Sequence, residues 1–443
     1  MPVALWLLAV LPAGLAVVLL GRFHPDEVYQ YLEPAYARVF GYGVLAWEWE
    51  KGIRNWAFPG LLAGLLSVCR SLGITYPIAY RAVLAIPQAI THVFAVATLF
   101  RLYKGRLQEQ RQAPWAAAIF AAGGMTLILA GRTLGEALSA DLLVLGACFL
   151  WRGATRRDAA LAGALLMSAC VVRYGSAAAV AGAGLSLVFQ HRWRDVAWCV
   201  LGGVPVIIAL GVLDATTWGA PFHSAMAYWK FNVSSGDAAR HFGAMPLSFF
   251  AKPMLLWMPF WVWAVGAWLV RHRRPPAFVE PLWMALAYVF ALAFVSHKEE
   301  RFLYPAVVLL TAALAPEVVA MAGQRLWARV VAVVASFATL WATPELRSEQ
   351  FYATVAVGRD ERSTGLLIVN EGVWGSGGFF YLGRKMPWLN ADWPSDRTFQ
   401  HAVRNPSFNR AITFEGRCLS ELKAAGFREQ WRLGRETLLV RGD

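Results

Sequence analysis

Long apolar runs separated by short polar turns occupy the first three quarters of the chain. Runs of about the length that crosses ~30 Å of hydrocarbon lie at Val3–Leu20, Tyr76–Leu102, Pro114–Ala130, Leu134–Trp151, Ala159–Val172, Ser176–Phe189, Val196–Leu213, Met254–Val270, Pro281–Ser296, Phe302–Ala322 and Trp327–Thr343. They predict an α-helical polytopic membrane protein with about eleven spans. Trp56–Leu72 is also apolar, but Pro59, Gly60 and Arg70 interrupt it, so it reads as an interfacial or re-entrant helix. The first run lacks a basic leader and a small-residue cleavage site, and reads as an uncleaved span. Beyond Thr343 the chain is far less apolar. Gly365–Asn370 reads as a buried strand, Gly375–Gly378 as a turn and Glu436–Arg441 as a second strand. The expected division is a membrane domain over 1–343 and a small α/β domain over 344–443.

Composition agrees: 58% of the 443 residues are hydrophobic and 16% charged, against about a quarter charged in soluble domains. The net charge of +13 acquires a meaning from its placement. With a cytoplasmic N-terminus and eleven spans, the basic clusters at 101–111, 152–157, 192–194, 271–274 and 325–329 all fall on one face, as the positive-inside bias requires. Counting Trp56–Leu72 as a span would put every one of them outside. The charge therefore reports topology in a plasma (inner) membrane, and nucleic acid is excluded as a partner. The same parity places Gly21–Thr75, Asp214–Pro253, Ser296–Arg301 and the tail on the extracytoplasmic side. The five cysteines are scattered without CxxC spacing, which suggests neither a zinc site nor a disulfide framework. No His/Asp/Glu set has metal-ligand spacing, so no cofactor is implied and a divalent metal has no support.

The outer segments carry the unusual polar residues. Just past the first span stands His24-Pro25-Asp26-Glu27, followed by Gln30 and Leu32-Glu33. Adjacent carboxylates at the lip of a membrane helix are costly unless solvated or used. They also fit an ordinary helix start, where Pro and acids suit the positive end of the dipole. Both readings stand on spacing alone. Further on come Phe40–Gly43, then Trp47-Glu48-Trp49-Glu50 and Arg54. These form either a glycine turn with an interfacial aromatic belt or a stacking platform for a sugar or prenyl chain.

A second constellation, His297-Lys298-Glu299-Glu300-Arg301, fills a short outer turn before Phe302-Leu303-Tyr304-Pro305. It reads as a solvated turn with local ion pairs, or as a phosphate clamp. In the clamp, His297, Lys298 and Arg301 hold a leaving phosphate and the two glutamates orient them, Arg meeting two phosphate oxygens with its planar fork. Asn232, within Phe231-Asn232-Val233 of the long outer loop, is a further polar candidate. Arg132-Thr133, Glu136 and Arg173 occupy the remaining outer turns.

In this order the segments resemble the dolichyl-phosphate-mannose-dependent mannosyltransferases of GPI-anchor and N-glycan precursor assembly. The likeness rests on His24–Glu27, Gln30, Leu32-Glu33, Phe40–Gly43, Trp47–Trp49, Arg132-Thr133 with Glu136, Phe231–Val233 and His297–Pro305, and covers roughly Phe23 to Pro305. It implies a GT-C-type glycosyltransferase whose first outer loop, 21–75, holds the catalytic acid. Its donor would be a polyprenyl-phosphate-linked sugar, its acceptor a glycan or glycolipid, and its product inverted at the anomeric centre. Carried over, Asp26 is the base with Glu27 next, and His297, Lys298 and Arg301 bind the donor phosphate. His24, Gln30, Glu48, Trp49, Arg54 and Asn232 are candidates for substrate contact. Two departures, Asp214-Ala215 for Asp-Ser and Phe242-Gly243 for Tyr-Gly, bear on the acceptor. A lipid-linked-sugar flippase and a surface-polysaccharide ligase or polymerase are the competing functions.

Overall fold

The computed structural model describes every residue except Arg22, Gln108, 153–154, 343–348, 395–396 and Asp443. The expected boundary at 343–344 thus lies outside the described residues. The chain forms two compact units, one of Met1–Ala16, Lys51–Phe58 and Ala85–Thr343, the other of Val17–Glu50, Pro59–Leu84 and Pro344–Asp443. Most of the first outer loop therefore groups with the tail.

The first unit is helical, and its helices follow the apolar runs: Ile86–Arg106, Gly135–Arg152, Arg156–Val172, Ala177–Phe189, Trp193–Trp218, Glu280–Phe294 and Tyr304–Ala322. Small residues let them pack closely, as in membrane bundles generally. A Cβ on Gly163 would lie 1.9 Å from the Cys199 carbonyl oxygen, and one on Gly202 the same distance from that of Ala160. The helices Arg156–Val172 and Trp193–Trp218 are thereby locked backbone to backbone.

Two expected spans are broken. Pro114–Ala130 divides into Ala113–Ala121 and Gly124–Leu129, and the Gly124 N–H donates to Thr339 Oγ1 at 2.9 Å. Met254–Val270 breaks at Met258-Pro259, where Leu247–Trp257 and Phe260–Arg271 bend by 107°. Proline removes a helical donor and restricts the residue before it. Among the described residues three helices are long and apolar enough to cross a membrane: Pro77–Arg106, Trp193–Trp218 and Glu300–Ala322. The bent pair would make a fourth, and shorter apolar helices include Val3–Val18, Ala57–Ser71, Tyr174–Phe189, Glu280–Phe294 and Leu326–Ala342. Length and composition alone thus support fewer spans than eleven.

The second unit contains the first-loop helices and a five-stranded sheet. Its strands are β1 (Leu366–Val369), β2 (Trp388–Ala391), β3 (Arg410–Thr413), β4 (Arg428–Leu433) and β5 (Glu436–Val440). Their order is β2-β1-β3-β5-β4, with β1 parallel to β2 and β3, and β5 antiparallel to β3 and β4. Both expected strands are present. β1 is buried on both faces, which is why it reads as an unbroken apolar run. Leu367 and Val369 pack with Phe399, Ala402 and Leu439, while Leu366 and Ile368 face Ala353, Val357 and Leu382. The expected turn at Gly375–Gly378 is shorter than anticipated: Gly375 ends one helical turn and Gly378 opens the helix Gly378–Leu382.

Candidate active site

In the second unit, Pro25 and Asp26 begin the first-loop helix, which passes into a π-helical segment, Glu27–Leu32, and then the helix Glu33–Phe40. Six consecutive π-helical residues are rare in proteins, where such turns concentrate at functional sites. Every residue of the segment is buried. Glu27 accepts from Arg81 Nη2 at 3.0 Å, and their side chains are 2% and 1% exposed. Asp26 differs from its neighbour. Its side chain is 18% exposed and lies 3.3 Å from His24 Nδ1, which also accepts from the Asp26 N–H at 3.2 Å. It makes no side-chain capping bond to the π segment, so the helix-start reading accounts for its position and not for its carboxylate. Of the adjacent acids, one is committed to a buried cation and the other keeps access to solvent.

Gln30 donates to Glu48 Oε1 at 2.9 Å, and Glu48 and Trp49 are buried. These three residues are thus buried within the packing of the loop. Glu33 is fully buried and accepts from the Val44 N–H at 2.6 Å and from the Phe380 N–H. Burial pushes its carboxyl up to about 7, against backbone donors at Val44, Phe380 and Phe379 that favour the charged form.

In the first unit, three turns between helices bring charges together. Arg301 Nη1 and Arg173 Nη1 each lie 2.7 Å from Glu136 Oε1. Arg301 Nε also meets Glu299 at 2.6 Å, and His297 Nε2 lies 3.0 Å from the same glutamate. Both guanidiniums flank the Phe302 ring, at 4.7 Å for Arg173 and 5.2 Å for Arg301. Lys298 is 3% exposed, and among the described residues its ammonium donates only to the carbonyl oxygens of Met245 and Val295. The orienting groups thus differ from the expectation. Glu299 holds Arg301 and His297, Lys298 is held by backbone, and Glu300 forms no ion pair among the described residues. Glu136 Oε2, Arg173 Nε and His297 Nδ1 are buried without a hydrogen-bond partner among the described residues. Such orphaned atoms mark where a ligand or water completes the site.

A third network anchors the long outer loop within the first unit. Asp214 Oδ2 accepts from the Ser224 N–H at 2.9 Å and from its hydroxyl at 2.5 Å. Ser224 meets the Tyr174 hydroxyl at 2.5 Å, which accepts from Asn55 Nδ2 at 2.9 Å. Asn232 lies in another π-helical segment, Lys230–Ser234, with its amide spent on the Tyr228 carbonyl at 3.0 Å. Arg54 is half-buried, and its carbonyl accepts from Trp218 Nε1 at 3.0 Å.

A family profile described as Alg9-like mannosyltransferase matches residues 4–355. The chain belongs to that family. Alg9-like relatives include GPI mannosyltransferase 3 of Yarrowia lipolytica (strain CLIB 122 / E 150), 31% identical over 307 residues, which are 66% of this chain and 58% of that protein. GPI alpha-1,2-mannosyltransferase 3 of Bos taurus is 26% identical over 298 residues, 64% of this chain and 52% of that one. The chain thus spans little more than half the length of these curated relatives. Among solved structures, ArnT from Cupriavidus metallidurans bound to undecaprenyl phosphate superposes with a TM-score of 0.61 at 12% identity, covering 100% of this chain and 99% of that one. At that identity the likeness is one of fold, and the fold is GT-C.

Within this Alg9-like chain, sequence reasoning singled out Asp26, Lys298 and Arg301 but missed their supports. Glu136 and Arg173 stood in separate turns with no link to Arg301, because nothing in the linear chain joins turns separated by whole helices. Arg81 lies inside an apparent span, and a cation there was itself the signal of a buried partner.

Proposed function

We propose that the chain transfers a hexosyl group, mannose, from a polyprenyl-phosphate carrier to a hydroxyl of a glycan or glycolipid acceptor, with inversion. The observation that carries this reading is the cation set of the first unit. Two arginines share one Glu136 oxygen, Glu299 holds one of them, and among the described residues Lys298 is buried with only neutral acceptors. A buried ammonium without a counter-charge calls for an anion. A sugar-phosphate lipid supplies one whose charge grows as the glycosidic bond breaks. Family membership names the sugar, and undecaprenyl phosphate in ArnT is the corresponding lipid class in the same fold.

In a single displacement the acceptor oxygen bonds to the anomeric carbon as the bond from that carbon to the phosphate oxygen breaks. Asp26 takes the hydroxyl proton, and the polyprenyl phosphate departs as an anion that needs no general acid. Arg301, Arg173 and Lys298 neutralise it, with His297 beside them. The topology that goes with this reading places the N-terminus in the cytoplasm and the chemistry on the extracytoplasmic face of a plasma membrane.

The test supplies purified full-length chain with radiolabelled polyprenyl-phosphate mannose and a glycolipid acceptor. Transfer of label should occur and should fall by about two to four orders of magnitude in Asp26→Asn, the usual worth of a positioned base. Movement of intact lipid across a vesicle without bond cleavage would make the protein a flippase. A requirement for a pyrophosphate-linked oligosaccharide would make it a ligase or polymerase.

A further inference from the structure

The π-helical segment Glu27–Leu32 is an unfavourable backbone state that persists only where its surroundings over-determine it. Its contacts within the second unit show what does so. Arg81 grips Glu27 at its start, and Gln30 is tied to Glu48 in its middle. Further ties come from the tail. The Tyr29 hydroxyl lies 3.3 Å from Ser376 Oγ. Glu33, the residue that ends the segment, accepts from the N–H of Phe380, at the first turn of the helix Gly378–Leu382.

The fit around Glu33 leaves no room for a side chain on the tail. Gly378 has φ +69°, and a Cβ there would stand 2.4 Å from Glu33 Oε1 and 2.5 Å from its Cδ. The aromatic rings after it complete the seat: Phe380 packs edge-on to Tyr36 at 6.2 Å and Phe379 edge-on to Tyr42 at 5.3 Å. Residues 376–380 lie beyond the family match, which ends at 355.

We propose that the tail segment Ser376–Phe380 is a positioning element for the catalytic loop, holding the π-helical turn in register through Glu33 and Tyr29 so that Asp26 is presented at its lip. The proposal rests on the reading of Asp26 as the base. It makes the tail part of the catalytic apparatus, although no residue of it touches the reacting atoms. Glu33 is a positioning residue whose two oxygens join the glycine turn at Val44 to the tail helix.

The experiment uses the full-length enzyme in detergent and three variants, Glu33→Gln, Ser376→Ala and Gly378→Ala. The amide of Glu33→Gln offers one acceptor oxygen where the carboxylate offered two. In Glu33→Gln and Gly378→Ala, kcat should fall about tenfold or more, the scale of a lost charge-assisted hydrogen bond, with donor and acceptor KM within about twofold of the parent. Ser376→Ala, which adds no bulk, should show a smaller loss of the same kind and keeps the test available if the others fold poorly. Amide hydrogen exchange over residues 27–40, which reads the contact without any turnover, should accelerate in all three. Unchanged exchange would overturn the latch. Faster exchange with full kcat would leave the contact structural and overturn the positioning role. Full turnover in Asp26→Asn would overturn the role of Asp26 and with it this use of the latch, while the exchange result would still report on the contact.

Discussion

The acidic loop at 26–33 and the basic turn at 297–301 both crowd charge into buried surroundings, yet they settle it by opposite means. In the acidic loop each buried carboxylate is matched locally, Glu27 by the Arg81 guanidinium and Glu33 by backbone N–H groups. Asp26, beside His24, is the most exposed of the three. In the basic turn the matching is incomplete. Arg301 and Arg173 divide one Glu136 oxygen between them while Glu299 also holds Arg301, and among the described residues Lys298 meets carbonyl oxygens and no carboxylate. A region whose charges close on themselves is scaffold. In the basic turn it is the Lys298 ammonium, on backbone carbonyls, that the proposed donor phosphate would match.

The largest effect that would break this comparison is on stability. Removing one partner of a buried ion pair strands the other, at a cost of about 3–5 kcal/mol. Arg81→Met should therefore lower the thermal midpoint in detergent far more than Arg301→Met, whose loss still leaves Glu136 paired with Arg173. Equal losses at the two positions would mean that the basic turn is as self-contained as the acidic loop.

The next effect is kinetic. Arg173→Lys and Arg301→Lys keep the charge but lose the fork that meets two phosphate oxygens. Each should cost about tenfold in kcat or donor KM, the worth of one charge-assisted hydrogen bond, with acceptor KM unchanged. Lys298→Gln should behave alike. A defect confined to the acceptor would move this cluster away from the donor phosphate.

How much of this was legible in the chain follows from the range of each interaction. Helices and strands depend on neighbouring residues, so the run at Gly365–Asn370 and the apolar segments between 134 and 213 were readable, to within a few residues, as β1 and as helices. The break at Met258-Pro259 was signalled by its proline, but its 107° bend is a tertiary outcome. Asp26 and Glu27 are adjacent and chemically alike, and nothing local separates them. Their surroundings differ because Arg81, in another helix, pairs with Glu27. Likewise the union of Glu136, Arg173 and Arg301 depends on three helix ends meeting, and the seat of Glu33 on a glycine in the tail. What the sequence left dark were these pairings across long stretches of chain.

The smallest effect concerns the way Glu33 is matched, by dipoles and not by a cation. Arg81 gives Glu27 a full opposite charge, whereas the N–H groups around Glu33 only partly offset its burial, and its carboxyl is pushed up to about 7 from an ordinary 4.5. A group raised in the folded state binds more protons there than in the unfolded chain between those two values. Stability must then fall as pH rises through that window. The contribution is fully present below about 4.5, declines to about pH 7 and is flat above it, with a ceiling of roughly 3 kcal/mol at 1.36 kcal/mol per pH unit. The thermal midpoint of the full-length chain in detergent should decline from pH 5 to 7.5. The slope should be shallower in Glu33→Gln, which cannot titrate. A parent slope that survives intact in Glu33→Gln would assign the titration elsewhere. It would also mean that backbone donors at Val44, Phe379 and Phe380 match Glu33 as fully as Arg81 matches Glu27.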